Sequence, residues 1–563
     1  MTDRPRVVIV GAGFGGLACA RALGGSEADV LVLDRRNHSL FTPLLYQVAT
    51  AALSPSDIAE PIRKALGRWS NLRVELAEVT GIDTAARHVQ LKDAPPVPFD
   101  HLVIATGSDY DYFGNDDWRI HAPGLKTVNE ARVIRQRLLL SYERAEMTED
   151  PALRRALLTH VVIGGGPTGV EMAGAMVELG REIIARDFRR LRPEDLNVVL
   201  IEAGPRLLTA FPEDLADYAL RSLQDRGVDV RIGCRVEAMD EGGVIAGGER
   251  IPTGCIVWGA GVRGSNAAQW LGIAPERGNR LPVRPDMTIE GFPGIYALGD
   301  TAAQTGADGR PLPALAQVAK QQGQHLGRNL RALIADGTPL APFHFRNRGN
   351  TAVVGRNAAV FDFGRRKLRG HVAWYLWALV HVYLLVNTEK RVLVSVQWLW
   401  TYLTGQPGAR LIDETAPKVP VPREQPAAPP VDPPAEHEES IMDDDRVWSF
   451  ERGLWQASED RYHERVDPEC VMALSRAPHL FQGKDAQDAV TGTPAWDEVS
   501  FSDQVVSRPQ EGLIVVGYHV RAQKGETLYK AACTSVYRRR EHEDWTVVQH
   551  AQVALDAEDR AAG

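Results

Sequence analysis

A strand–glycine–helix pattern occurs twice in this chain, and it restricts the possible folds more than any other feature of the sequence. The first copy, VVIVGAGFGGLACARAL, places Gly11, Gly13 and Gly16 between an apolar β-branched run and a run of small residues. In a dinucleotide-binding fingerprint the first glycine permits a tight turn, the second lets the backbone approach a pyrophosphate, and the third permits close helix–strand packing. The strand VLVLD then ends at Asp34, near the spacing expected of an acid that binds a ribose. We therefore expect a Rossmann-type nucleotide site here.

The second copy, HVVIGGGPTGVEMAGAM, carries Gly164, Gly166 and Gly169, and its candidate acid is Glu202 at the end of NVVLIE. This acid follows the first glycine by 38 residues instead of 23, so the crossover must contain an extension, which we assign to ARDFRRLRPED. A carboxylate at this point hydrogen-bonds a ribose diol and repels a 2′-phosphate, which favours NADH over NADPH. The alternative is a glutamate that only ends a strand.

The composition limits the other functions open to the chain. Its 563 residues predict three to four domains. The net charge of −9 argues against a nucleic-acid partner, because such proteins usually carry a basic excess. The five cysteines are scattered singly, so neither a metal site nor a local redox dithiol is expected. No apolar signal segment precedes the first strand, which indicates the cytoplasm or a surface that faces it.

Two dinucleotide sites in one chain suggest a flavoprotein that transfers electrons. The sequence resembles the two-dinucleotide-domain flavoproteins, in which the N-terminal site holds FAD and the nicotinamide domain is inserted into the FAD domain. Three further segments match: HLVIATGS with Ala105, Thr106 and Gly107, CIVWGAGVRG with Gly261, and GIYALGD with Asp300. The resemblance implies that Asp300 bonds the ribityl chain of FAD; a strand-end loop aspartate is the alternative.

The members of this group that use thiols fit the sequence poorly. Dithiol reductases need a cysteine pair beside the flavin, and Cys19 near the first fingerprint is unpaired. Sulfide:quinone oxidoreductases use a late cysteine, and residues 343–406 contain none. Over residues 5 to about 413 the chain instead resembles the type II NADH dehydrogenases, single-subunit NADH:quinone oxidoreductases that do not pump protons.

Two segments carry this closer resemblance, FTPLLYQVATAAL from Phe41 and ALAQVAKQQGQ, which matches the family's Ala-Gln-x-Ala-x-Gln motif. The resemblance implies that the first segment packs near the flavin and that Gln317 and Gln321 orient a quinone. Amides suit that task because they bind a carbonyl without adding a charge. The resemblance also implies that Glu171 handles protons, and a partly buried carboxyl there would have a raised pKa. The alternative for Glu171 is an acid that only favours the helix N-terminus.

Motif and resemblance together predict three catalytic residues: Glu171, Gln317 and Gln321. They predict the following cofactor-binding residues: Gly11, Gly13, Phe14, Gly15, Gly16, Asp34, Arg35, Pro43, Val79, Ala105, Thr106, Gly107, Gly164, Gly166, Thr168, Gly169, Glu202, Gly261, Asp300, Ala316 and Gln317.

Two apolar segments near residue 390 are candidates for membrane contact. They run from His371 to Val386 and from Val392 to Leu403. The first would be about 23 Å long as a helix, too short for a hydrocarbon core of about 30 Å, so we expect both to lie in the interface of an anionic membrane surface. Packing is the favoured role for His381, and a core or dimer-interface helix pair is the alternative to membrane contact. The sequence thus predicts a peripheral protein on the cytoplasmic face of the membrane, and we also expect a homodimer.

The Pro-rich run APKVPVPREQPAAPPVDPPA predicts a semi-rigid linker between the flavoprotein part and a different C-terminal region. The pattern of that region predicts one helix followed by long strands. It resembles the cone-shaped α+β fold of nuclear transport factor two and ketosteroid isomerase. Asp460, His463 and His550 are polar residues there, for which surface positions are favoured over a pocket. The predicted domains are FAD-binding, 1–116 and 264–346; NADH-binding, 117–263; membrane and quinone region, 347–413; linker, 414–442; and cone-like domain, 443–563.

The predicted fold is therefore α/β, with an NADH-binding Rossmann-like domain inserted in an FAD-binding one, amphipathic membrane helices and an appended α+β cone. The predicted function is hydride transfer from NADH to FAD and transfer of two electrons to a membrane quinone, without proton pumping. Two alternatives stay open: a flavoprotein like sulfide:quinone oxidoreductase, and an NADH-responsive scaffold with the cone domain as its output module.

Overall fold

The computed structural model of the protein describes most of the chain. The residues described are 4–307, 309–364, 366–385, 388–404, 410–412, 444–456, 466–474, 480–482, 485, 496–510, 513–525, 527–539 and 545–555. They form two compact units, one within residues 1–427 and one within 428–563. The predicted linker 414–442 and the predicted polar residues Asp460 and His463 lie outside the described residues.

The first fingerprint lies in a six-stranded sheet whose strands are parallel except at one edge. In spatial order these strands are Thr288–Ile289, Phe292–Ala297, His101–Ile104, Arg6–Val10, Asp29–Asp34 and Leu72–Leu76. Val7 and Val8 point to opposite faces and both are buried, as the continuous apolar run of a covered parallel strand requires.

The second fingerprint lies in a separate four-stranded parallel sheet. Its strands in spatial order are Val228–Ile232, Asn197–Glu202, Thr159–Ile163 and Cys255–Trp258. All four fall within the sequence gap between His101–Ile104 and Phe292–Ala297 of the first sheet. The chain enters and leaves this insertion through two antiparallel strands that pair with each other, Ser108–Tyr110 and Val262–Gly264. The predicted Rossmann-type α/β fold is confirmed.

Shorter strands and the helices cover these sheets. The shorter strands are His38–Leu40, Ala59–Pro61, Val79–Asp83, His88–Leu91, Val97–Pro98, Val236–Asp240, Gly243–Ala246, Glu249–Pro252, Leu281–Pro282 and Ala302–Ala303. The α-helices are Phe14–Leu23, Leu45–Ala49, Pro55–Ile58, Ile62–Leu66, Val128–Met147, Pro151–Leu157, Pro167–Asp187, Glu213–Asp225, Ala267–Leu271 and Ala316–Asp336. Single 3₁₀ turns cover Thr42–Leu44, Asp116–Ile120, Pro193–Asp195 and Gly299–Thr301.

A three-stranded antiparallel sheet and two helices complete the larger unit. The strands are Asn350–Gly355, Ala358–Asp362 and Lys367–Gly370, and the helices are His371–Leu384 and Thr388–Thr404. The second helix begins four residues before the predicted start at Val392. Within the described residues, no helix has both the length and the apolarity needed to cross a bilayer.

In the part of the smaller unit that the structure describes, the helix Asp444–Gln456 accompanies a six-stranded sheet. In spatial order its strands are Leu480–Gln482, Val466–Ala473, Trp545–Ala554, Thr527–Arg539, Leu513–Lys524 and Glu498–Gln510. The helix side chain Glu451 is fully buried and accepts hydrogen bonds from the hydroxyls of Tyr518 at 2.7 Å and Tyr537 at 2.5 Å. His550, a predicted surface residue, is partly buried, and its Nδ1 lies 2.9 Å from Ser535 Oγ.

Candidate active site

The first glycine turn has the geometry that a diphosphate needs. Gly11 has φ +99°, and a Cβ atom on it would lie 2.4 Å from the carbonyl oxygen of Ala105. A Cβ on Gly16 would lie 1.8 Å from the Gly11 oxygen, so both positions require glycine. A Cβ on Gly13 would meet nothing within 4 Å, and no side chain caps the helix that begins at Phe14. The open space and the free N–H groups therefore fit a dinucleotide diphosphate.

Asp34 fastens this turn and ends the neighbouring strand. Its Oδ2 accepts a hydrogen bond from Ala12 N at 2.7 Å, and its Oδ1 accepts one from Arg36 N at 2.8 Å. A carboxylate has about four acceptor positions, so each oxygen keeps one for a ribose hydroxyl. Arg35, also predicted to contact the cofactor, is exposed beside it.

Asp300 lies in a turn that several buried polar groups hold in place. Its Oδ2 accepts from Ser108 Oγ at 2.7 Å, and that hydroxyl accepts from Lys126 Nζ at 2.7 Å. Burial lowers the pKa of Lys126, and the nearby Asp300 opposes that shift. Gly299 N donates to Gln322 Oε1 at 2.7 Å. The sequence did not identify Ser108, Lys126 or Gln322 as residues that hold this turn.

One signal in the sequence points to Gln322. It lies at four-residue spacing between Val318 and Leu326 on the buried face of its helix, so it is a polar residue in an apolar stripe. Such a residue must have hydrogen-bond partners, and Gln322 has both Gly299 N and Gln304 Oε1, the latter at 2.7 Å.

The segment after the strand His101–Ile104 contacts both halves of the first domain. Thr106 Oγ1 lies 2.6 Å from Ser265 Oγ, which lies 3.1 Å from Thr301 Oγ1. Gly107 has φ +71° and Gly261 has φ +64°, a region of backbone conformation that favours glycine. The predicted residues Ala105, Thr106 and Gly107 therefore lie where the first sheet, the returning chain and the Asp300 turn meet.

The other predicted contacts of the first domain are more scattered. The Phe14 ring packs edge-on against Phe41, with 5.9 Å between centroids. Pro43 lies in the 3₁₀ turn that follows Phe41. Val79 begins the strand Val79–Asp83, and Gly15 packs under the helix Ala316–Asp336, where a Cβ would lie 3.2 Å from Ala319 O.

The second glycine turn repeats the geometry of the first. Gly164 has φ +107°, and a Cβ on it would lie 2.7 Å from Ala260 N. A Cβ on Gly169 would lie 1.8 Å from the Gly164 oxygen, whereas Gly166 faces open space. No side chain caps the helix Pro167–Asp187, which places Thr168 in its first turn. This second groove also fits a dinucleotide diphosphate.

Glu202 ends the strand Asn197–Glu202 beside this groove. Its Oε2 accepts from Gly165 N and its Oε1 accepts from Gly204 N, both at 2.5 Å. The side chain is half-buried. The carboxylate therefore holds the turn with one lone pair on each oxygen and keeps others for a ribose diol.

Glu171 lies one turn into the Pro167–Asp187 helix and contacts the C-terminal sheet. Its Oε1 accepts a hydrogen bond from Val353 N at 3.3 Å. Burial raises the pKa of Glu171 to about 8, and the Val353 hydrogen bond only partly opposes this. The carboxyl is therefore protonated at neutral pH and can donate a proton.

The two glutamines of the Ala-Gln-x-Ala-x-Gln segment bind backbone. Gln321 donates from Nε2 to Arg346 O at 3.0 Å and accepts at Oε1 from Arg346 N at 3.1 Å. Gln317 donates to Gly349 O at 3.1 Å and accepts from Arg348 N at 3.1 Å. Ala316 begins this helix. Both amides therefore hold residues 346–349 against the helix, and their contact with quinone stays a prediction.

His381 lies inside the C-terminal helix pair. Its Nδ1 lies 2.8 Å from Trp377 O, and its ring packs edge-on against Phe41 at 6.2 Å between centroids. Burial lowers the pKa of His381 to about 4, so the ring is neutral at physiological pH. This position agrees with the packing role favoured from the sequence. Among the described residues, no group of three or more His, Cys, Asp and Glu side chains could hold a metal ion.

Two known protein families match parts of this chain. Residues 5–323 match the pyridine nucleotide-disulphide oxidoreductase family, and residues 347–406 match the NDH2 C-terminal domain. The chain is 35% identical over 425 residues to the type II NADH:quinone oxidoreductase Ndh of Mycobacterium tuberculosis, covering 73% of this chain and 91% of that protein. It is 38% identical over 411 residues to NdhA of the same organism, covering 70% and 86%. The chain belongs to the type II NADH:quinone oxidoreductases.

A solved structure, NDH2 from Plasmodium falciparum in complex with NADH, shares the fold with a TM-score of 0.67 at 19% identity, covering 72% of this chain and 99% of that one. As a type II NADH:quinone oxidoreductase, the protein is a flavoprotein enzyme that uses FAD and NADH and reduces quinone. The predicted activity and cofactors are confirmed. The two matched ranges end before the C-terminal unit, so its cone-like fold stays a prediction.

Proposed function

We propose that the two glycine turns divide the cofactors as the sequence predicts, with FAD on the first and NADH on the second. Asp34 and Asp300 then hold the ribose and ribityl hydroxyls of FAD, and Glu202 holds a ribose of NADH. When bound, FAD accepts hydride from NADH and passes two electrons to quinone. The overall balance is NADH plus quinone plus one proton to NAD⁺ plus quinol.

The proposal assigns the proton of that balance to Glu171, and one observation carries this assignment. Glu171 is a partly buried carboxyl whose pKa is raised to about 8, on the helix that begins at the proposed NADH groove and packs against the strand Asn350–Gly355. A group that is protonated at pH 7 and borders both the nicotinamide turn and the C-terminal region suits proton delivery to a quinone. The proposal keeps Gln317 and Gln321 as the residues that orient the quinone, and their amides also hold the backbone of residues 346–349.

Anaerobic rapid mixing tests the assignment. NADH should bleach the flavin of wild-type protein, and a short-chain quinone should restore its absorbance promptly. Glu171→Gln should keep the bleaching and slow the recovery. Slow bleaching with normal recovery would instead place Glu171 in NADH binding, and unchanged rates in both steps would remove it from the reaction.

We also propose that the helices His371–Leu384 and Thr388–Thr404 lie in an anionic membrane surface on the cytoplasmic side. The first helix exposes Val372, Leu379 and Tyr383, each at least 65% exposed, and the second exposes Val396 and Leu399 at about the same level. These positions recur at helical spacing and form outward apolar stripes, which is typical of interfacial helices.

Flotation with anionic vesicles tests the membrane proposal. Wild-type holoenzyme should float, and the double variant Leu379→Glu/Leu399→Glu should remain in the soluble fraction while keeping its NADH-dependent flavin bleaching. Flotation of the double variant would overturn the assignment. If the variant instead changed from dimer to monomer on gel filtration, the stripes would belong to the expected homodimer.

The predicted domain boundaries form part of the same proposal, including a cone-like domain over residues 443–563. Its support is the alternation of buried and exposed residues along Leu513–Lys524 and Thr527–Arg539, with the buried Glu451 of the helix facing Tyr518 and Tyr537. Limited proteolysis should cut within 414–442 and release a folded C-terminal fragment. Cleavage within the strands would contradict these boundaries.

A further inference from the structure

An exposed phenylalanine lies in the loop that follows the first of the paired strands between the two dinucleotide domains. Phe113 comes shortly after the strand Ser108–Tyr110 and is 64% exposed. Its backbone has φ +54°, and the next residue, Gly114, has φ +92°. Two successive residues with positive φ form the kind of turn that favours Asn followed by Gly, so a bulky side chain at the first position is strained. Since the ring is exposed, burial in a core does not compensate for this strain.

Hydrogen bonds fix the loop against the end of the strand Cys255–Trp258. Asp111 N donates to Gly261 O at 3.3 Å, and Trp258 Nε1 donates to Asp111 O at 3.2 Å. Phe113 N donates to Asp111 Oδ1 at 2.9 Å. The Phe113 ring lies against Gly261, where a Cβ would be 2.5 Å from the Cζ atom of the ring, and its centroid is 6.2 Å from that of Trp258. The ring therefore has a defined place beside Gly261.

The order of the strands in the inserted sheet indicates which half of NADH reaches Gly261. The strand before the second glycine turn lies between Asn197–Glu202 on one side and Cys255–Trp258 on the other. In a fingerprint of this kind, the strand-end acid binds the ribose that carries the extra phosphate in NADPH, which is the adenosine ribose. The adenosine half of NADH then lies on the Glu202 side of the turn, and its diphosphate lies on the turn itself.

The nicotinamide half continues from there over the end of the strand Cys255–Trp258, at residues 259–261. This segment borders the second glycine turn directly, since a Cβ on Gly164 would lie 2.7 Å from Ala260 N. The Phe113 ring lies against the last residue of the segment. A nicotinamide ring is flat and aromatic, so an exposed phenyl ring is a suitable surface for it.

We infer that Phe113 is a substrate-binding residue whose ring contacts the nicotinamide half of bound NADH and holds it in place for hydride transfer. This role rests on the proposed placement of NADH on the second glycine turn. Contact between the two rings favours binding, and a fixed orientation of the nicotinamide favours transfer. The strained backbone then has a function, because it keeps the ring beside Gly261 before the nucleotide arrives.

Phe113→Asn removes the ring without adding strain, because asparagine tolerates positive φ better than phenylalanine does. The variant should keep its flavin and its Tm, and it should bind NAD⁺ about three- to tenfold more weakly. Flavin bleaching at low NADH should be slower by a similar factor, whereas recovery with quinone should be unchanged. Phe113→Tyr keeps an aromatic ring and should bind NAD⁺ as the wild-type protein does.

Calorimetric titration of the oxidised holoenzyme with NAD⁺ and with ADP-ribose provides the measurement, since neither nucleotide reduces the flavin. ADP-ribose lacks the nicotinamide ring, so Phe113→Asn should leave its dissociation constant unchanged. Ile120→Asn is the matched control, because Ile120 ends the 3₁₀ turn that follows the same loop and is 69% exposed. This control should bind both nucleotides as the wild-type protein does.

Wild-type affinity of Phe113→Asn for NAD⁺ would overturn the inference, because the ring would then not contact the nucleotide. An equal loss of affinity for NAD⁺ and ADP-ribose would also overturn it, since the ring would act on the part that the two nucleotides share. A lower Tm of Phe113→Asn would assign the ring to the support of the loop and would overturn the inference as well.

Glu202→Arg separates this inference from the placement of NADH. That variant should weaken the binding of NAD⁺ and of ADP-ribose alike. If it binds both as the wild-type protein does, the placement of NADH on the second turn is wrong. If it weakens both while Phe113→Asn changes neither, the placement stands and the role of Phe113 is wrong.

Discussion

The two glycine turns of this enzyme have almost the same geometry, yet the helices that follow them differ. In both turns a Cβ on the first glycine would meet backbone at under 3 Å, the middle glycine faces open space, and a Cβ on the third would lie 1.8 Å from the oxygen of the first. In both, a strand-end carboxylate accepts hydrogen bonds from backbone N–H groups around its turn. The turn alone therefore does not decide what each site does.

The difference lies in the helix and in what packs on it. The first helix has 10 residues and packs on Ala316–Asp336, where a Cβ on Gly323 would lie 2.0 Å from Gly15 O. The second has 21 residues and packs on Asn350–Gly355. Seven residues after the first glycine, the first helix has the buried Ala18 and the second has Glu171. The helix after the first turn thus packs through small and apolar residues, whereas the helix after the second turn carries a titratable group that contacts the C-terminal sheet.

The largest expected effects come from the third glycines. Gly16→Ala and Gly169→Ala each force a methyl group against backbone. This overpacking should lower the free energy of unfolding by about 1–3 kcal/mol or more. Gly16→Ala should yield protein without flavin. Gly169→Ala should retain the flavin absorbance but lose bleaching by NADH. Loss of flavin in both variants would show that the two turns are not separate sites.

A smaller effect is expected from Glu171→Gln, for which Ala18→Ser is the matched control in the first helix. Glu171 is protonated below its pKa of about 8 and ionised above it, so wild-type quinone reduction should fall as pH rises through about 8. The variant should be about 100-fold slower at pH 7 and lack that fall. Steady-state rates from pH 6 to 10 check this expectation. An unchanged fall near pH 8 would assign it to another group.

Glu202→Arg should change the choice of nucleotide. The carboxylate repels a 2′-phosphate and the guanidinium attracts one, so the ratio of kcat/KM for NADH to that for NADPH should fall by about tenfold or more. Flavin content should stay normal, since Asp34 serves the other turn. An unchanged ratio would contradict the ribose-binding role of Glu202.

The smallest effects are expected at the middle glycines, where a Cβ meets no protein atom. Gly13→Ala should weaken FAD retention on dilution, and Gly166→Ala should raise the KM for NADH, each by about tenfold or less, because a methyl group only crowds the approaching diphosphate. Thermal unfolding of the FAD-free proteins should be unchanged. A large drop in Tm would show that these glycines support the fold.

Short sequence patterns were enough to predict those features that depend only on residues close together in the chain. The glycine turns, Asp34, Glu202 and the two C-terminal helices follow from spacing and apolar runs within short windows. The extension before Glu202 was assigned to ARDFRRLRPED, and it turns out to be mostly added length in the Pro167–Asp187 helix. The hydrophobic periodicity did not predict that this helix has 21 residues, because its small residues are equally compatible with a short helix.

Contacts between distant segments could not be predicted from the sequence. Gln317 and Gln321 bind the backbone of residues 346–349, and Gln47 binds Trp398, through pairings that no sequence window contains. The pKa of Glu171 likewise depends on burial under a strand nearly two hundred residues later. The resemblance to known enzymes supplied Glu171, Gln317 and Gln321 as candidates, whereas the partners of these residues came only from the fold.

The paired strands Ser108–Tyr110 and Val262–Gly264 have a consequence for the order of events during synthesis. The first sheet cannot be completed until Phe292–Ala297 has left the ribosome, whereas all four strands of the inserted sheet lie between residues 159 and 258. Since contacts between nearby segments form first, the inserted domain should be folded while its host is still an incomplete sheet. With FAD on the first turn, as proposed, flavin capture becomes a late step of folding, and a shortage of riboflavin would leave chains with a folded inserted domain inside an incomplete host sheet.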